Sequence, residues 1–72
     1  MRFEIERRRD EAPDEWDSVG KADGEGDDAA AAAVEQRSRL TGIYRARPAE
    51  SAESWVLFER LSNGQLEQRE VI

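Results

Sequence analysis

Seventy-two residues make at most one domain, and a chain this short buries a modest share of its surface, so every large apolar side chain matters to the fold. It has no cysteine and no histidine, which removes disulfide staples, thiolate nucleophiles and the usual neutral-pH acid, base and metal ligand. The net charge is −6 and it is segregated: Asp10, Glu11, Asp14, Glu15, Asp17, Asp23, Glu25, Asp27 and Asp28 are set against the single cation Lys21, so the remainder is slightly basic.

Arg2 to Glu6 alternates polar and apolar residues, which predicts a strand burying Phe3 and Ile5 on one face. It is expected to fade at Arg7 to Arg9 and to give way to a turn over residues 10–15, where Pro13 lacks a backbone donor. Trp16 to Ala22 reads as a second strand anchored by Trp16 and Val19. Their odd spacing puts these two on opposite faces unless a bulge intervenes. Gly24 and Gly26 among four acids make a loop, and Asp27 or Asp28 is placed to cap the helix that follows.

Ala29 to about Leu40 is the predicted helix. Consecutive alanines carry high helix propensity, acids precede the N-terminus, Arg37 and Arg39 sit near the C-terminus, and Gly42 offers a left-handed stop. The buried stripe is expected to run through Ala30, Ala33, Val34, the stem of Arg37 and Leu40.

Ile43 to Arg47 predicts a strand with Tyr44 and Ala46 on one side and Arg45 and Arg47 on the other, ended by Pro48 and a polar loop. Trp55 to Leu61 is apolar on both faces, Trp55 and Leu57 opposing Val56 and Phe58, as in a strand interior to a sheet. Asn63-Gly64 suits a type I′ turn. That turn would set Leu61 against Leu66, Arg60 against Glu67, Val56 against Val71 and Trp55 against Ile72. The expectation is one α+β domain over residues 1–72, a mostly antiparallel sheet of four or five strands packed by one Ala-rich helix. Mobile acidic loops are expected near 10–15 and 23–28, and a polar one near 48–54.

Asp23 to Asp27 sets oxygen donors at alternate positions, as a calcium loop does. With Asp23 first, however, Asp28 takes the place of the sharp-turn glycine and Val34 that of the bidentate glutamate, so the motif fails. Acids ahead of a helix account for the pattern, and neither a metal site nor a cofactor is expected. Ser18, Ser38, Ser51, Ser54 and Ser62 have no histidine partner and no Gly-x-Ser-x-Gly elbow. Every acid lies in a polar run or an exposed alternation, so no carboxyl is tuned for acid–base work. The chain reads as non-enzymatic, with no catalytic residue and no small-molecule substrate.

The longest apolar run, Ala29 to Val34, falls far short of the roughly 18 residues of a membrane span. The N-terminal residues lack the apolar core of a signal peptide, and a cytoplasmic protein without membrane contact is expected. Two binding readings remain. Trp16 and Trp55 beside charged rims, and a two-faced strand with more apolar surface than one helix covers, point to a protein partner, a homodimer included. Its contact residues would be Trp16, Trp55 and Leu57, or the acidic block through Asp14 and Glu15. The alternative is a nucleic-acid-binding protein that uses Arg7, Arg8, Arg9, Arg45 and Arg47 for phosphates and Tyr44 or Trp55 for stacking, with Glu4, Glu6 and Glu59 neutralising much of the patch.

Overall fold

Among the described residues, 1–37, 39–52 and 54–71, the computed structural model has β1 (Arg2–Arg8), β2 (Trp16–Asp23), α1 (Ala29–Arg37), β3 (Gly42–Pro48), β4 (Val56–Arg60) and β5 (Leu66–Val71). The strands form one antiparallel sheet in the order β2-β1-β3-β4-β5, with α1 on one side. The fold class is therefore α+β, a five-stranded antiparallel sheet with one helix.

β1 does not fade at Arg7. It lies between β2 and β3, where Arg7 opposes Asp17 on one side and Tyr44 on the other, and Arg8 opposes Trp16. Pairing along both edges sustains the strand beyond its apolar alternation. The turn after it is closed by the Arg9 amide donating to the Glu15 carbonyl at 3.0 Å and the Glu15 amide to the Ala12 carbonyl at 2.8 Å.

A bulge resolves the spacing of β2. Gly20 opposes Ile5 and Ser18 opposes Glu6, which leaves Val19 as the extra residue. The added residue shifts the alternation, so Val19 packs on the core and Ala22 is buried in it while Trp16 keeps the opposite face.

The helix is shorter than expected and its stripe is truncated. It ends at Arg37, and Ala33 and Val34 are its buried residues. Leu40 is 67 % exposed, which corrects its expected place in the stripe. Gly42, with φ +144°, opens β3 rather than capping the helix. The chain must turn back early because Gly42 pairs with Arg60, and the Tyr44 hydroxyl donates to the Leu40 carbonyl at 2.8 Å, fixing that turn from the sheet side. Gly24 allows close approach at the other end of the helix, where a Cβ on it would meet the Ala29 carbonyl oxygen at 1.8 Å.

The hairpin forms in a different register from the type I′ expectation. Arg60 opposes Leu66 and Glu59 opposes Glu67, whereas Val56 still opposes Val71 because an irregularity between Val56 and Phe58 restores the count. Among the described residues only glycines have positive φ, so Asn63 does not adopt the left-handed conformation a type I′ turn needs. Instead the Gly64 amide donates to the Leu61 carbonyl and the Leu61 amide to the Gln65 carbonyl, with Gly64 at φ +88°. This is the three-residue loop that ends in a glycine bulge. The expected pairing with Ile72 lies outside the described residues.

Phe3, Ile5, Ala22, Ala33, Val34, Tyr44, Ala46 and Phe58 form the core. All the sheet residues in this set face α1, so the fold has one core layer. The other sheet face is left without a covering element among the described residues.

Candidate interaction face

Strand alternation sends the other side chains to the helix-free face: Arg2, Glu4, Glu6 and Arg8 from β1, Trp16, Ser18, Lys21 and Asp23 from β2, Ile43, Arg45 and Arg47 from β3, Leu57 and Glu59 from β4, and Glu67 and Arg69 from β5. The register then sets opposite charges side by side. Glu6 opposes Arg45 and Glu4 opposes Arg47. Arg45 Nη2 lies 2.5 Å from Glu6 Oε1 and Arg47 Nε 2.5 Å from Glu4 Oε1. At the β5 side the register sets Glu59 opposite Glu67, and Arg69 reaches diagonally to Glu59 and along its own strand to Glu67, relieving that like-charge pair.

The two tryptophans reach into this ladder from opposite sides. The Arg45 guanidinium carbon lies 4.3 Å from the Trp16 ring centroid and 4.2 Å from that of Trp55, and Arg47 lies 4.2 Å from Trp55. A guanidinium over an indole face is attracted by the ring quadrupole while its edge stays free for a carboxylate. Arg45 uses both, stacking on two rings and bonding Glu6. Trp16, Trp55 and Leu57 are half-buried, and the stacked arginines cover part of both indoles expected to lie open.

The expected contact residues are thus partly brought together. Trp16, Trp55 and Leu57 share this face. Asp14 and Glu15 lie in the turn at the β2 edge, both exposed, with Glu15 3.7 Å from Arg9. The arginines of the nucleic-acid reading are split. Arg8, Arg45 and Arg47 occupy the helix-free face, but Arg7 turns to the other side, where its Nη2 donates to the Thr41 carbonyl and its guanidinium lies 6.0 Å from the Tyr44 ring centroid. Its buried Nε has no hydrogen-bond partner among the described residues. Arg9 donates to both carboxylate oxygens of Asp17 at 3.0 Å. That hydrogen bond, strengthened by the attraction of the two charges, holds the Asp17 carboxyl below its ordinary value and raises the Arg9 guanidinium.

The ladder runs into an open groove of about 820 Å³ at the end of the sheet, lined by Arg2, Lys21, Arg47, Pro48 and Glu50 among others. Arg2 is 3.5 Å from Asp23 and Arg47 is held by Glu4, so two of the three cations named in the groove are already paired. The acidic residues 23–28 do not converge either. Asp23 faces Arg2, and Glu25 accepts from the terminal amine of Met1 at 3.0 Å. Among the described residues no helix is long and apolar enough to cross a membrane.

What sequence reasoning missed is the insertion of Arg45 between the tryptophans. Alternation showed that Arg45 and Arg47 share a face; only the strand order, with β1 alone separating β2 from β3, brings Trp16 within reach. Comparison with protein families, curated proteins and solved structures finds no match to this chain.

Proposed function

We propose that this protein is a non-enzymatic protein-interaction module whose docking surface is the helix-free sheet face centred on Trp16, Arg45, Trp55 and Leu57. The observation that carries this reading is the convergence of Trp16 and Trp55, far apart in sequence, on the Arg45 guanidinium. Tryptophan and arginine are the residue types that dominate binding energy at protein interfaces. Their charges here are already paired with Glu6 and Glu4, so burying them strands no isolated ion. The same pairing weakens the phosphate-binding alternative, since Arg45 and Arg47 must release internal carboxylates before they can neutralise a nucleic-acid backbone.

The test is affinity capture with the intact chain and with a Trp16→Ala/Trp55→Ala variant that is first shown to be folded by its amide NMR spectrum. Partners retained by the wild type and lost by the variant support the face. Partners retained by both but lost after neutralising Asp14, Glu15, Asp27 and Asp28 place the contact on the acidic block instead. Titration with single- and double-stranded oligonucleotides at about 50 mM salt, where phosphate contacts are strongest, tests the alternative: shifts confined to Arg8, Arg45 and Arg47 would replace the protein partner with a nucleic acid.

A further inference from the structure

We infer that the occupant of this face is a second copy of the same chain, packed sheet on sheet about a two-fold axis running parallel to the strands between β1 and β3. This rests on the reading of the helix-free face as the docking surface and adds the partner's identity.

The charge pattern carries the inference. On this face Glu4, Glu6, Asp23, Glu59 and Glu67 stand against Arg2, Arg8, Lys21, Arg45, Arg47 and Arg69, nearly neutral and slightly basic, in a chain whose net charge is −6. The excess of negative charge sits in the β2 edge and its flanking loops, residues 10–28. Two copies therefore meet with little net repulsion on this face and with strong repulsion along the acidic edge. At the centre of the face the signs alternate strand by strand, acidic at Glu4 and Glu6 on β1, basic at Arg45 and Arg47 on β3 and acidic again at Glu59 on β4. A two-fold between β1 and β3 exchanges those two strands and keeps the position along them. Since Glu4 is in register with Arg47 and Glu6 with Arg45, the operation sets Glu4 of one copy over Arg47 of the other, and Glu6 over Arg45. It also lays β2 over β4 of the second copy, with Ser18 level with Leu57 and Trp16 level with Glu59. An isologous interface requires this kind of self-complementarity, and face-to-face sheets pack with nearly aligned strands.

Size sets the strength. The two-fold overlaps four strands, β2, β1, β3 and β4, and leaves β5 uncovered; spaced about 4.8 Å apart, each about seven residues of roughly 3.3 Å, they present on the order of 450 Å². Two such faces bury about 900 Å², within the range of weak, transient complexes. The dimer is accordingly reversible and concentration-dependent rather than obligate.

The experiment is sedimentation equilibrium of the full chain from about 10 μM to about 1 mM at low and high sodium chloride, with native mass spectrometry of mixtures. A monomer–dimer equilibrium that shifts towards dimer as salt rises is expected, because screening relieves repulsion between two acidic chains. The charge-exchanged variant Glu4→Arg/Arg47→Glu keeps its internal ion pair and the face's net charge. It is expected to dimerise with itself but to form mixed dimers with wild type several-fold less often than statistics require. Free mixing with wild type, or a dimer whose NMR perturbations fall on the β2 or β5 edge instead of Trp16, Arg45 and Leu57, overturns the arrangement. A monomer throughout the range overturns the second copy as occupant. In that event, capture of another protein that depends on Trp16 and Trp55 leaves the docking face standing, and its absence removes both.

Discussion

Arg45 and Glu6 form the most buried charge pair on the helix-free face, their side chains only 20 % and 26 % exposed and their nearest nitrogen and oxygen 2.5 Å apart. The pair lies between the solvent-exposed and buried limits for ion pairs, and the two indoles beside it exclude water from the guanidinium faces.

Replacing Glu6 with Gln leaves the Arg45 charge without its carboxylate in this partly desolvated position. The expected loss of stability is on the order of 1–2 kcal/mol, above the usual worth of a surface pair and below that of a fully buried one. Urea unfolding followed by circular dichroism measures it; a loss within error would show that Arg45 is held by the tryptophans alone.

Trp55→Ala and Leu40→Ala separate structural from exposed apolar side chains. Removing Trp55 uncovers Arg45 and Arg47 and is expected to cost about 1–2 kcal/mol. Leu40, once expected in the helix stripe, is exposed, and its truncation should fall within about 0.5 kcal/mol of wild type. Thermal melts of both variants decide this; the reverse order would place Leu40 in the core.

Gly24→Ala and Gly26→Ala test the approach of the helix to the end of β2. A Cβ at position 24 would meet backbone, the Ala29 carbonyl, at 1.8 Å, whereas one at position 26 meets nothing within 4 Å and faces only the strain of φ +86°. The first substitution is expected to cost about 2–3 kcal/mol as overpacking that no side chain can relieve. The second should cost less, about 1 kcal/mol. Equal losses in urea titrations would argue that the 23–28 segment is loosely attached to the helix.

The Arg9–Asp17 pair gives a pH signature. Its hydrogen bond holds the Asp17 carboxyl below its ordinary 3.8. A carboxyl whose folded pKa is depressed stabilises the fold above the unfolded value, and that contribution disappears as pH falls through the folded one. The pair therefore acts throughout the neutral range and fades only in acid below the ordinary carboxylate range. Carboxyl NMR titration should find Asp17 below 3.8 in the wild type and moved upward in Arg9→Gln. An unchanged titration in the variant would mean that the hydrogen bond does not persist in solution.

Period-two alternation at Arg2 to Glu6 and Ile43 to Arg47 determined which residues face the helix, because a strand's faces follow from local geometry alone. The alanine run and its acidic approach likewise set where the helix begins. Tertiary structure decided the rest. The bulge at Val19, the end of the helix at Arg37 and the glycine-bulge hairpin all depend on which strand pairs with which, and backbone pairing outweighs local preferences of a few tenths of a kcal/mol per residue. The stacking of Trp16 and Trp55 on Arg45 belongs to the same class. Three segments meet at one guanidinium only after β1 has been placed between β2 and β3, a long-range arrangement that no spacing within the chain encodes.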